Sequence, residues 1–232
     1  MRLRIKLAGG LAVVAALLGG GGVGTAGADV PHSSGPLPYS ALAAGWWKWA
    51  LEAPTATNPL IDDTGAKCAT GQPGAILFFL AGLPAGGTGA RSCDVPRNRA
   101  LFFPVINLLY GAFLNDPEPT RTVDFARQQV ACEAGAQTSV TIDGRPLPSR
   151  QIVHERSIVF KVQLPADNIF GLTPDVATDL VFSPTVDQGD YVLLAPLRHG
   201  VHTIHFVGTY PSVPDSACTG ATIDMTYTLR VA

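Results

Sequence analysis

The clearest pattern in the chain lies at its carboxyl end. Ile223, Met225, Tyr227, Leu229 and Val231 alternate with Thr222, Asp224, Thr226, Thr228 and Arg230. Apolar residues on one side and polar residues on the other are the period-two signature of a half-buried strand. Residues 191–195 and 201–207 read as two more strands, flanking Pro196-Leu197-Arg198-His199-Gly200 as a short hairpin connection. Three antiparallel strands are expected over 190–231.

Farther upstream the pattern changes period. Leu42, Trp46, Trp49 and Ala53 recur at helical spacing after Ser40, a residue able to cap a helix, and Pro54 ends the run. A second helix is expected from Arg121, with Thr120 as cap and Val123, Ala126, Val130 and Ala134 on one face, stopped by Gly135. Between them, 75–80 and 101–107 are apolar runs suited to buried strands. Pro104 places the second at a sheet edge or at a bulge. Residues 108–119 read as a loop. Residues 138–142 run into Asp143-Gly144, a tight-turn pair. Ile158, Phe160, Val162 and Leu164 alternate again, and 167–188 read mostly as loop, with a weak strand at 180–182.

About eight strands and two short helices, punctuated by nineteen prolines and without βαβ alternation, predict a mainly β chain. The expected architecture is an antiparallel β-sandwich, jelly-roll-like, over 39–232.

The first residues change the picture of where the chain works. Arg2, Arg4 and Lys6 precede an uncharged run from Leu7 to Val23, followed by Ala26-Gly27-Ala28. This is the form of a secretory signal peptide over 1–28, cut after Ala28. The glycine run 19–22 argues against the rival reading of a retained anchor. Residues 29–38 read as a flexible leader. The expected location is secreted, periplasmic or cell envelope, with no transmembrane segment after signal removal. The formal net charge is −2 and no Lys/Arg cluster is present, so no nucleic-acid partner is expected.

Export makes disulfides the expected state of Cys68, Cys93, Cys132 and Cys218. Three pairings are possible. Cys68–Cys93 with Cys132–Cys218 is favoured, since each pair stays within one apparent block. No Cys-x-x-Cys occurs, and no cofactor is expected.

Several stretches, taken together, resemble an uncharacterised family of secreted bacterial proteins. They are Trp46-Trp47-Lys48-Trp49-Ala50-Leu51, Asn58-Pro59-Leu60, Phe78-Phe79-Leu80-Ala81-Gly82, Cys93-Asp94-Val95-Pro96, Leu101-Phe102-Phe103-Pro104-Val105-Ile106-Asn107, Leu194-Ala195-Pro196-Leu197 and Gly200-Val201-His202-Thr203-Ile204-His205-Phe206. Phe78-Phe79 departs from the aromatic pattern before Leu-Ala-Gly that relatives carry. The resemblance implies export and a compact β-rich domain. It transfers no catalytic residue.

Candidate chemistry is sparse. His199, His202 and His205 repeat every three residues, but neighbours three apart on a strand point to opposite faces, so the run cannot build a metal site by itself. His202, on the side of Ile204 and Phe206, reads most simply as a core or rim histidine with a hydrogen-bond partner. His154-Glu155 lacks the second histidine of a zincin helix, and no Gly-x-Ser-x-Gly elbow occurs. Paired carboxylates at Asp62/Asp63 and Asp187/Asp190 sit beside glycines, where turn hydrogen bonding is the ordinary role. Asp62 and Asp63 are also the weak alternative for a calcium site. Trp46, Trp47 and Trp49 are the best binding hint. Their spacing suits packing for Trp46 and Trp49, whereas Trp47, about 100° round the helix, is expected to be the exposed one.

The leading functional expectation is a secreted, non-catalytic binding module for a small-molecule, carbohydrate or cell-envelope ligand. The rival is a secreted hydrolase or lyase using His202, His205, Glu155 or Asp167 across strands. A purely structural envelope protein is the third reading.

Overall fold

The computed structural model describes residues 6–7, 11–12, 38–174, 178–212 and 219–232. The predicted signal peptide and leader lie almost wholly outside the described residues. Two strand pieces there, Lys6–Leu7 and Leu11–Ala12, pair with each other, and Leu11 meets Leu109. No helix among the described residues is long and apolar enough to cross a membrane.

The remaining elements are two helices and ten strands in two mixed sheets. Helix α1 is Tyr39–Leu51 and α2 is Val123–Val130. The strands are β1 Leu77–Phe79, β2 Gly87–Val95, β3 Ala100–Phe113, β4 Gln137–Ile142, β5 Arg145–Pro146, β6 Ile152–Arg156, β7 Phe160–Gln163, β8 Val181–Leu194, β9 Gly200–Ser212 and β10 Thr219–Val231. In sheet one, β3 pairs with β1 on one side and β8 on the other, and β8 pairs in turn with β6 and β7. Sheet two runs β2-β10-β9-β4-β5. Two pairs, β1 with β3 and β2 with β10, are parallel, which corrects the wholly antiparallel expectation.

The strand β10 alternates as its sequence demands: Ile223, Met225, Tyr227, Leu229 and Val231 are buried, and the residues between them are not. They join Ile204 and Phe206 of β9 and Val140 of β4 against one face of sheet one, supplied by Phe103, Val105, Ile106, Val186 and Val192. The other face of sheet one carries a second cluster, in which Leu42, Trp46, Trp47 and Ala50 of α1 pack on Phe79, Phe102, Phe182 and Tyr191. Sheet one is thus covered twice. A strand covered on both faces reads as a continuous apolar run rather than an alternating one. This is why β3 continues to Phe113 through residues that read as loop.

Between β3 and β8 the register shifts by one residue: Asp190 pairs with Ile106, but Tyr191 pairs with Pro104. Pro104 therefore sits at a bulge, the second of its two expected settings. The bulge lets Val105 and Ile106 both face sheet two, and the next residue, Asn107, turns toward α1. Gly208 of β9 is needed at this crossing, since a Cβ there would lie 2.6 Å from Ile106 Cβ and 2.7 Å from the Val105 carbonyl.

Other expectations shift at their boundaries. Pro38 precedes helix α1 as its cap, and its carbonyl accepts from Ala41 and Leu42 N–H. Ser40 is inside the first turn and caps nothing. Asn58 closes the other end, donating to the Ala50 and Ala53 carbonyls. Thr122, not Thr120, caps α2 by accepting from Phe125 N–H. Residues 196–200 are not a hairpin, because β8 belongs to sheet one and β9 to sheet two. They carry the chain from the doubly covered sheet to the singly covered one.

The Cys68–Cys93 disulfide is present and ties the loop after α1 to β2. Cys132 is also disulfide-bonded. Its expected partner, Cys218, lies outside the described residues.

Candidate functional site

The polar centre of the molecule is Asp187, on β8. Its neighbours in sequence, Gln188, Gly189 and Asp190, suggested a turn, yet all four lie within a 14-residue strand. Asp187 is fully buried on the face of sheet one that α1 covers. Trp47 donates its indole N–H to Asp187 Oδ2 at 2.6 Å. Tyr191, four residues on and so on the same strand face, donates its hydroxyl to Oδ1. Asn107 of β3 joins the cluster through Tyr191, donating from Nδ2 to the Tyr191 hydroxyl at 3.4 Å. Helix α1 and strands β3 and β8 thus converge on one buried cluster.

The backbone of Asp187 joins further elements. Arg127 of α2 donates to the Asp187 carbonyl at 3.0 Å and to the Ser157 carbonyl. Ser157 N–H donates to the Asp187 carbonyl, and Ser157 Oγ accepts from Asp187 N–H at 2.8 Å. Gly189 makes the close approach possible: a Cβ there would stand 2.5 Å from Asn107 Cβ and 2.9 Å from Tyr191 Cε2.

An isolated ionised carboxylate in such a place would be very costly. Burial pushes the Asp187 carboxyl up to about 7, even though the bonds from Tyr191 and Trp47, the Arg127 charge and the nearby Asn107 amide pull the other way. Desolvation is the larger effect because Arg127 spends its hydrogen bonds on backbone oxygens rather than on the carboxylate.

Beside this cluster lies a small apolar cleft of about 10 Å³, space for roughly one water molecule. Trp46 and Trp47 of α1 form one wall and Leu60, Gly82, Leu83 and Pro84 another; Pro104, Asn107 and Ile223 complete it. Arg91, buried on β2, holds the second wall in place. Its guanidinium donates to the Pro59, Leu60 and Ala81 carbonyls and to the Tyr227 hydroxyl.

The tryptophans are not arranged as expected. Trp47 is buried rather than exposed, because its N–H has Asp187 to reach. Trp46 is also buried and donates to the Leu80 carbonyl at 2.9 Å. Trp49 is only half-buried, donating to the Thr70 carbonyl and packing its ring edge-on to Phe79. All three indole N–H groups are spent inside the protein, so only ring faces and edges remain for a ligand.

The acid–base candidates are dispersed. His202, at the rim, meets Asp143 at 2.8 Å and the Arg198 carbonyl at 2.9 Å. The Asp143 contact raises the His202 pKa and, reciprocally, lowers that of Asp143. His205 points to the opposite face of β9 and meets Asp224. Glu155 accepts from Arg156 N–H. Asp167 is exposed, and its carbonyl accepts from Thr55. Each of the four serves a different neighbour. The Asp62 carboxylate accepts from the N–H groups of Thr64, Gly65 and Lys67. Burial works to raise its pKa, but these bonds hold it below the usual carboxylate range. Asp63 is exposed. Among the described residues no three His, Cys, Asp or Glu side chains gather as metal ligands.

Compared with known proteins, the chain matches no family model, no curated protein and no solved structure.

Proposed function

We propose that this chain is an exported, non-catalytic binding module of sandwich-like build, which takes a small apolar group of a glycan or other cell-envelope ligand into the cleft beside Trp46 and Trp47. The observation that carries the reading is the cleft itself: two tryptophans, two prolines and aliphatic side chains around a single polar side chain, Asn107. Ligand sites are commonly apolar with a few placed polar groups. A space of this size does not admit a sugar ring. It suits a methyl-sized group, such as the methyl of an N-acetyl substituent, with the ring left outside. The dispersal of His202, His205, Glu155 and Asp167 supports the non-catalytic side of the reading.

The test is a titration of the secreted protein with N-acetylglucosamine oligosaccharides, followed by NMR shifts of the indole resonances. Gly82→Leu is the blocking variant. A Cβ at Gly82 meets only Ile223 side-chain carbons, at 3.6 Å and 3.7 Å, so a side chain can begin at this cleft position without a backbone clash. Saturable shifts at Trp46 and Trp47 that vanish in Gly82→Leu are expected. Wild-type resonances unmoved at millimolar sugar would overturn the reading.

A further inference from the structure

Two walls of the cleft also belong to the cluster around the buried carboxyl. Trp47 and Asn107 both line the cleft; Trp47 bonds Asp187 directly, and Asn107 bonds the Tyr191 hydroxyl that in turn bonds Asp187. We infer that the charge on Asp187 sets how firmly these two walls are held, so that proton uptake at this one buried group changes the capacity of the cleft for its ligand. The inference rests on the proposed role of the cleft and adds its regulation.

The hydrogen-bond inventory gives the direction. Three donors make up the cluster: the Trp47 indole N–H and the Tyr191 hydroxyl donate to the carboxylate, and the Asn107 amide donates to the Tyr191 oxygen. An ionised carboxylate accepts from both Trp47 and Tyr191, and bonds to an ionised acceptor are shorter and stronger than neutral ones. A neutral acid brings a fourth donor into the cluster. Its proton needs an acceptor, and the nearest, the Tyr191 oxygen, already lies against Asn107 Nδ2. Proton uptake therefore forces a hydroxyl or an amide to turn and weakens the hold on Trp47. Above neutrality the walls are held in one arrangement, and a preorganised cleft binds more tightly.

The charged and titratable groups around Asp187 are few. On β8 there is Tyr191 itself. From α2 comes Arg127, with Arg156 of β6 beyond it. From α1 and β3 come only Trp47 and Asn107, which carry no charge. Farther along β8, Asp190 pairs with His154 of β6, so His154→Gln serves as the control for titration at that pair.

The experiment follows the Trp47 indole N–H resonance from pH 5 to 9 in wild type, His154→Gln and Asp187→Asn, without ligand. A single titration centred near neutrality is expected in the first two proteins and a flat profile in Asp187→Asn. Binding of N-acetylglucosamine oligosaccharide, measured at pH 6 and pH 8, is then expected to be about fivefold tighter at the higher pH in wild type and equal at both in Asp187→Asn. A flat wild-type indole profile, or one that survives in Asp187→Asn, overturns the inference, as does binding with the same affinity at both pH values. If the indole titrates but no sugar binds at either pH, the proposed function fails while the coupling of Trp47 to Asp187 stands.

Discussion

Trp47 and Asp187 lie 140 residues apart in the chain and meet through a 2.6 Å hydrogen bond in the interior. The bond fastens α1 to the central strand of sheet one at a point where apolar contact alone would permit sliding. Hydrogen bonding is directional and packing is not, so this pair sets the position of the helix on the sheet. Removing the carboxyl by Asp187→Ala leaves the donors of Trp47 and Tyr191 without an acceptor. A loss of about 3 kcal/mol is expected, given about 1–3 kcal/mol for each buried group left unsatisfied and partial relief from losing the buried charge. Urea unfolding monitored by tryptophan emission measures it.

Asp187 also predicts a pH dependence. Its folded-state value of about 7 lies above the ordinary 3.8. Below pH 4 the group is protonated in both folded and unfolded chains, and its contribution is fully present. Between about 4 and 7 the folded chain holds a proton that the unfolded chain has released, so stability falls as pH rises, then levels off. The total is on the order of 4 kcal/mol. Asp62 and Asp143, held below the ordinary value, act in the opposite sense at lower pH. The difference between wild type and Asp187→Asn isolates the Asp187 part. The variant should gain on wild type from pH 5 to 8 in parallel thermal or urea titrations.

Trp47→Phe separates the ring from its N–H. The aromatic packing against Trp46, at 4.9 Å between centroids, is largely kept, but Asp187 loses one donor. About 1–3 kcal/mol of stability should be lost at pH 8, where the carboxylate is ionised, and less at pH 5. The carboxyl of Asp187, followed by carbon-detected NMR, should titrate at higher pH than in wild type. An unchanged midpoint would remove Trp47 from the cluster's electrostatics.

The Cys68–Cys93 bridge closes a sequence separation of 25 residues. The chain-entropy description gives it about 3 kcal/mol. The double replacement Cys68→Ser with Cys93→Ser should lower stability by roughly that amount while leaving the Trp47 indole resonance in place, because the bridge joins a surface loop to β2 and does not touch Asp187.

Gly189→Ala should be costlier than its single methyl suggests. The new carbon would overlap Asn107 Cβ, the Ile106 carbonyl and the Tyr191 ring, forcing β3 and β8 apart beside the buried carboxyl. A loss of about 1–3 kcal/mol is expected for overpacking of this kind. A shift of the Asn107 and Tyr191 resonances should accompany it. Gly144→Ala, in the β4–β5 turn with open space around it, is the comparison that reports backbone strain alone.

Much of this fold was legible where one side of an element faces water. The alternation in β10 reports a sheet with one covered face, and Asp143-Gly144 reports its turn because both residues adopt positive φ, 51° and 74°. Pro104 announced a sheet edge or a bulge because it cannot donate to a ladder, and the register shift decides for the bulge. The errors concentrate in β3 and β8. There α1 and sheet two bury both faces, alternation disappears, and Gln188, Gly189 and Asp190 look like a turn. The Trp47 error has the same origin. Helical spacing places an indole on a face but says nothing of what lies opposite that face.

The sequence by itself determined what depends on neighbours in the chain: the short-range periods, the turns, the proline stops, and a strand-rich body with two helices. Only the tertiary structure decided that Asp187 is a buried acceptor rather than a turn residue, and that Trp47 and Tyr191 donate to it. The physical reason is desolvation. The properties of a carboxyl depend on how much water surrounds it and which donors replace that water, and those donors come from positions 47 and 191, which only folding brings together.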